Sequence, residues 1–290
     1  MSLRLAQRLA ARAEVLDPVA DRVQSFARAA VEAAPKPLQN MLDGTWLGVP
    51  LHPALTDVPV GAWTAGVFLD SLDAATNSEA LRNAADGALA VGVAGALPAA
   101  VTGTNDWSHL RGDSKRIGTV HALLNVGALS LNAASLALRR RGRRDLGVAL
   151  AGAGWLMGAF SAHLGGQLSF GLGVRVNRTA WERPADEFEP VLDEVLLQGT
   201  QLRRVDVNGV PVVLTRAESG EPCAIAATCS HGGGPLADGA REGDTVICPW
   251  HGSRFNLCSG DVEGGPAVFP QPRYEARVRE GRIELRTADR

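Results

Sequence analysis

Cys229-Ser230-His231 and Cys248-Pro249-Trp250-His251 each carry one thiolate and one imidazole, with sixteen residues between them. A two-metal cluster needs two ligands at each end. A loop that supplies one Cys and one His can serve both ends, because in C-x-H and C-x-x-H the two side chains diverge. Two such loops, pinching from opposite sides, hold one metal with two Cys and the other with two His. The competing reading is a structural zinc site, for which Cys₂His₂ is also a ligand set. Zinc fingers pair like with like, as C-x₂₋₄-C followed by H-x₃₋₅-H. Here Cys and His alternate within each loop, which favours the two-metal cluster.

The stretch from about Leu192 to Leu285 resembles a Rieske domain throughout. Gly232, Gly233 and Leu236 follow the first ligand pair, and Asp238-Gly239 turns the chain. The run Cys248–Phe255 forms the second loop. Gly260, Gly264-Gly265-Pro266 and the segments Arg273–Val278 and Arg282–Leu285 complete the pattern. The resemblance implies an all-β domain with a 2Fe–2S cluster held by Cys229, His231, Cys248 and His251. Respiratory members of the family add a Cys to each loop and brace the cluster with a disulfide, and both places are non-Cys here. The remaining cysteines, Cys223 and Cys258, are therefore expected as small apolar residues. Of two residues that tune the cluster in the family, Ser253 is retained and a tyrosine is replaced by Phe255. Hydrogen bonds to sulfur raise the potential. Losing one points to the ferredoxin-type branch, at the low end of the roughly −150 to +300 mV Rieske range.

A chain of 290 residues has room for about two domains, and its composition divides in two. Ahead of the polar C-terminal part lie four apolar segments, about Leu55–Leu69, Ala85–Gly103, Ile117–Leu138 and Leu146–Gly166. Most approach the ~20 residues that cross a bilayer. They are rich in the small residues that let membrane helices pack closely. A soluble bundle needs a charged outer face, yet no charge falls between Asp86 and Asp106 or between Arg116 and Arg139. The expected fold is an all-α, transmembrane four-helix bundle followed by the all-β domain. The divisions are 1–45, an amphipathic helical segment; 46–173, the membrane domain; 174–190, a polar linker with Arg178, Glu182, Arg183 and Pro184; and 191–290, the cluster domain. The net charge of −2 leaves no footprint for nucleic acid.

The helical half resembles a family of small four-helix membrane domains, on Leu51-His52-Pro53, Asp106-Trp107 and His121. Four crossings put all four histidines outside the cluster, His52, His109, His121 and His163, on the side of the cluster domain, with Asp57 and Asp106. Ionisable groups at membrane-helix ends are functional candidates. His52, His121 and His163, with Asp57 and Asp106 behind them, form a candidate second site for haem, another metal or a quinone. Their bland reading is as polar caps at the interface. In the N-terminal segment, Leu5, Leu9, Val15, Leu16, Val19, Val23 and Phe26 recur at helical steps. They suit either a membrane-surface helix or one packed on the bundle.

Orientation is contested. The basic run Arg139-Arg140-Arg141-Gly142-Arg143-Arg144 would lie in the cytoplasm by the positive-inside rule, turning the cluster outward. The missing bracing disulfide suits a reducing compartment, and the expectation is a multi-pass protein of the cell membrane with its cluster on the cytoplasmic face. The expected function is electron carriage between a redox partner protein, a reductase or acceptor, and a second acceptor such as a quinone. The alternatives are a redox sensor or assembly protein, and a component of a Rieske oxygenase system. An oxygenase proper would need a catalytic iron domain after the cluster domain.

Overall fold

The computed structural model describes residues 10–182 and 185–288. Leu5, Leu9, Arg183 and Pro184 lie outside the described residues. The chain builds two interleaved units, Met1–Ala34 with Leu51–Val174, and Pro35–Pro50 with Arg175–Arg290. Pro35–Pro50, expected with the N-terminal and membrane segments, thus belongs with the cluster domain.

The helical unit contains α1 (Asp17–Ala33), α3 (Leu51–Thr76), α4 (Glu79–Ser108), α5 (Gly112–Arg140) and α6 (Arg144–Gly166); α2 (Lys36–Asp43) lies in the other unit. All four expected segments are helices, and each runs beyond its apolar stretch. Three are long and apolar enough to cross a membrane: Glu79–Ser108, at mean hydropathy 1.6, and Gly112–Arg140 and Arg144–Gly171, both at 1.3. The bundle buries polar side chains beside apolar ones such as Trp63, Leu89, Ile117 and Leu164, and its outward face is rich in large apolar residues. Thr102, Asn105, Asn132, Ser135 and Ser161 are buried, while Phe68, Val91, Leu97, Leu123, Val126 and Leu156 face outward. That is the reverse of a water-soluble bundle and the arrangement expected where the surroundings are hydrocarbon.

The helices outrun their apolar stretches because the charges at their ends find partners. Arg139 pairs with Asp70 through both of its terminal nitrogens and reaches Asp86 at 2.8 Å. Arg144 adds contacts of 3.0 Å to Asp70 and 3.1 Å to Asp86, and Arg82 bonds Asp73 at 3.0 Å. All four long helices contribute to this knot, in which the side chains of Arg139 and Asp70 are 1% and 3% exposed. Two arginines of the basic run are therefore structural, and Arg140, Arg141 and Arg143 are left exposed.

The two hairpins, α3–α4 and α5–α6, are built alike. His52 and His121, Trp63 and Asn132, and Asp70 and Arg139 each stand 69 residues apart. Gly92 and Gly154, Ala99 and Ser161, and Gly103 and Gly165 each stand 62 apart. Contacts follow the same offsets. A Cβ on Gly92 would strike Trp63, and one on Gly154 would strike Asn132.

Helix α1 packs on the bundle through its polar side. Gln24 donates to the carbonyls of Trp107 and Leu110, both at 2.9 Å, and Arg28 donates to that of Ser108. Asp17 pairs with Arg116 and Asp21 with Lys115, both at 2.6 Å. Val19, Val23 and Phe26 are left on its exposed face, and Val15 just ahead of it is exposed as well.

The second unit holds two antiparallel sheets. One has six strands in the order β1-β10-β9-β4-β3-β2, the other four in the order β5-β6-β7-β8. The six are β1 (Glu189–Asp193), β2 (Arg203–Val207), β3 (Val210–Arg216), β4 (Pro222–Ala226), β9 (Arg273–Arg279) and β10 (Arg282–Thr287). The four are β5 (Ala240–Glu242), β6 (Thr245–Ile247), β7 (Arg254–Asn256) and β8 (Val262–Gly264). Asn208-Gly209 makes the β2–β3 hairpin turn, both residues at positive φ.

The buried knot predicts that Asp70→Ala or Arg139→Ala alone destabilises the helical unit, by up to about 3–5 kcal/mol, since each leaves a buried ionised partner with only its second contact, Arg139 with Asp86 or Asp70 with Arg144. Removing both should cost less than either single change. Chemical denaturation in detergent, followed by helical circular dichroism, measures the three variants.

Candidate metal centre

Cys229 and His231 stand in the loop after β4, and Cys248 and His251 in the loop between β6 and β7. Each loop is closed by its own backbone. In the first, the Cys229 N–H donates to Gly234 O and the Gly233 N–H to Cys229 O, both at 2.8 Å. In the second, the Cys248 N–H donates to Ser253 O at 2.8 Å and the Gly252 N–H to Cys248 O at 3.0 Å. Gly233 and Gly252 take φ of 82° and 74°, where a side chain would be strained. Gly234 answers to packing instead, because a Cβ there would sit 2.7 Å from Cys248 Sγ.

Both thiols are buried, and both imidazoles are half-buried with their Nδ1 atoms sealed from solvent. The rings stand 5.1 Å apart at 89°. The neighbouring Cys248 thiol raises the pKa of Cys229, and the Cys229 thiol lowers that of Cys248. Burial raises both. The N–H groups of His231 and Gly232 favour a charged sulfur at Cys229, and those of Trp250 and His251 do so at Cys248. Such a cradle of amides suits anionic sulfur. Two thiolates on one side and two inward imidazole nitrogens on the other fit a 2Fe–2S cluster, with Cys229 and Cys248 on one iron and His231 and His251 on the other.

The comparisons bear on the domain as a whole. Residues 188–275 match the family model for the Rieske [2Fe-2S] domain. Ferredoxin CarAc of Metapseudomonas resinovorans is 34% identical over 88 residues, which cover 30% of this chain and 81% of that protein. The chain belongs to the Rieske iron–sulfur family. Apoptosis-inducing factor 3 of Mus musculus is 30% identical over 92 residues, and there the chain spans 15% of the relative's length. The ferredoxin–oxygenase complex of carbazole 1,9a-dioxygenase contains a chain that is 31% identical to this one. The match covers 34% of this chain and 92% of that one, at a TM-score of 0.33. Residues 48–178 match a second family model, Predicted membrane protein (DUF2231).

Around the Rieske loops, Ser253 is fully buried and its Oγ accepts from the Ala267 N–H at 3.0 Å. Its own proton can therefore turn to a cluster sulfur. Phe255 is fully buried in the core that also contains Cys229 and Cys248. Trp250, beside His251, is 55% exposed.

The structure corrects one expectation and adds one set of residues. Cys223 and Cys258 are not lone apolar residues but a disulfide, with Cα atoms 4.7 Å apart. It ties β4 of the larger sheet to the turn after β7 of the smaller. Thirty-five residues of sequence separate the pair, and no spacing motif marks it. The added residues come from Pro35–Pro50. Asn40 Oδ1 accepts from the Gly265 N–H at 2.9 Å, and Thr45 Oγ1 donates to Ala267 O at 3.3 Å. Arg175 donates to Pro266 O at 2.7 Å and to Asp43 O at 2.6 Å. The loop 265–267, whose Ala267 N–H holds Ser253, is thus fixed by a segment more than two hundred residues upstream.

Of the candidate second site, the structure brings together His52 and His121, with ring centroids 6.3 Å apart. His163 is half-buried and Asp57 exposed.

Metal and sulfide analysis of the full chain should give about two irons and two labile sulfides, and Cys229→Ser or Cys248→Ser should remove both. Ser253→Ala should lower the cluster potential, and Phe255→Tyr should raise it, each by roughly several tens of millivolts, where 59 mV is tenfold for one electron. Protein-film voltammetry reads both shifts.

Proposed function

We propose that the protein carries single electrons at a membrane through its Rieske cluster, between a reductase and an acceptor protein. The observation that carries this reading is the pairing of a ferredoxin-type cluster domain with a bundle whose outer surface is apolar. The cluster supplies a one-electron couple. The chain's own residues set how it is used: the amide cradle and Ser253 stabilise the reduced state, and His231, His251 and Trp250 give a partner its docking edge. Curated relatives that are ferredoxin components of dioxygenase systems support a protein partner over a small-molecule substrate.

The cluster domain faces the oxidising side of the membrane in this reading, opposite to the cytoplasmic placement expected above. That placement leaned on the lack of a disulfide, and Cys223–Cys258 supplies one. Disulfides persist mainly in oxidising compartments. Exposed Arg140, Arg141 and Arg143 at the α5–α6 turn favour the cytoplasm for that turn.

Trp250→Ala should leave the cluster spectrum intact and slow reduction by the partner reductase by roughly tenfold, as loss of an interfacial aromatic anchor does. Stopped-flow spectroscopy measures it. An unchanged rate would move the docking edge elsewhere, and a cluster that never cycles with any reductase would sink the carrier reading. A C-terminal alkaline phosphatase fusion should be active in intact cells, and silence there would return the domain to the cytoplasm.

A further inference from the structure

We propose that the cluster-bearing unit rests on the lipid surface through Pro35–Pro50, a segment that turns an apolar sole towards the bilayer; the seat stands whether or not the carrier reading does. Helix α2 fills half of that segment and is amphipathic in an inverted sense. Its polar side chains face the protein. Asn40 Oδ1 accepts from the Gly265 N–H at 2.9 Å, and Asp43 is buried with its carboxylate 3.8 Å from the Arg175 guanidinium. Its apolar side chains Leu38 and Met41 are exposed, as are Trp46, Leu47 and Val49 after it. A helix in water turns its apolar stripe the other way.

The apolar exposure is concentrated here. Among the described residues, these sixteen positions carry five exposed large apolar side chains, as many as the whole of Arg175–Arg290. The one carboxylate of the segment, Asp43, is buried, and its one cation, Lys36, is exposed. Trp46 donates its indole N–H to Met41 O at 3.3 Å and leaves its ring 66% exposed. An exposed indole among aliphatic side chains, with a lysine at the edge, suits the headgroup level of a bilayer.

Chain continuity names the occupant. Pro50 leads directly into α3, and Arg175 stands four residues after Gly171, where an apolar span ends. Four residues reach no more than about 14 Å, so both points at which the chain leaves the unit are held near the membrane. Pro50 and Arg175 also line one cleft, together with Val176, Pro266 and His231. The sole runs up to that cleft, and a cluster ligand opens onto it. A second copy of the chain fits less well, because a stable interface takes roughly 20–30 residues a side and the patch is one short segment. Helix α1 repeats the inversion, with Gln24 and Arg28 turned inward and Val19, Val23 and Phe26 outward. Both helices ahead of α3 are thus built for surroundings that accept apolar side chains.

The test uses the full chain in lipid nanodiscs, beside Trp46→Phe. The emission lost on that substitution is the share of Trp46. In phosphatidylcholine brominated on its acyl chains, that share should fall about twofold or more relative to the plain lipid, as for a ring at the acyl boundary. An unquenched Trp46 would overturn the seat. In stacked, oriented bilayers the electron paramagnetic resonance signal of the reduced cluster should vary with the angle between membrane and field. The double variant Leu38→Glu/Met41→Glu should flatten that dependence while its g values, the proof of folding, stay unchanged. Should this variant not fold, quenching of Trp46 decides alone. Angle dependence that survives both glutamates, or a dimer that Trp46→Glu dissociates, would assign the patch to protein and overturn the lipid seat. Neither readout needs a reductase, so failure of the carrier reading would be seen separately.

Discussion

Four ligand atoms from two loops must be held at one separation before a two-iron cluster can bind, and the cluster domain is organised around that demand. Neither loop has regular structure of its own. Each is closed by its own hydrogen bonds, with glycines where a side chain would collide with sulfur or strain the turn. The disulfide from β4 to the turn after β7 ties together the two sheets that carry the loops. A third loop, 265–267, holds Ser253 against the site and is itself held by Asn40, Thr45 and Arg175. Rigidity of this kind limits reorganisation when the cluster changes charge, which suits an electron carrier.

The helical unit answers to a different constraint. With an apolar exterior, burying more hydrocarbon does not drive its helices together. What specifies them is polar: the arginine–aspartate knot at one end and the histidine–carbonyl bonds at the other. In a low-dielectric setting such contacts are costly to leave half-made. The matched offsets of 69 and 62 residues show one hairpin design used twice, with Asp70 in the first copy answered by Arg139 in the second.

The cluster domain was legible because ligand chemistry fixes both residue type and spacing, so two loops that each mix Cys and His stood out without any fold. The helices were legible from their apolar runs, though their ends were not, because the charges of Asp70 and Arg139 look like the limits of an apolar span until they are seen to pair. The disulfide was hidden because its two cysteines meet only through sheet packing. The repeat was hidden too. Few residues are identical between the copies, and Val58 beside Gly95 is answered by Gly127 beside Met157, with large and small exchanged across the contact. Of the five residues expected in a second site, the pair in contact was among them, but sequence offered no reason to prefer it over His163.

Pro35–Pro50 belongs to the same compact unit as Arg175–Arg290, and that fact counts membrane passages. A folded unit cannot straddle a bilayer, so the chain that leaves it at Pro50 must return at Arg175 on the same face. The number of passages in between is therefore even. Three apolar helices cannot be the whole tally: if α4, α5 and α6 all cross, α3 crosses with them, in spite of Asp57 and Pro59. The unit is also made in two instalments, its first sixteen residues before the bundle and the rest after. The contacts of Asn40 and Thr45 with the 265–267 loop can form only when the chain between them has been made.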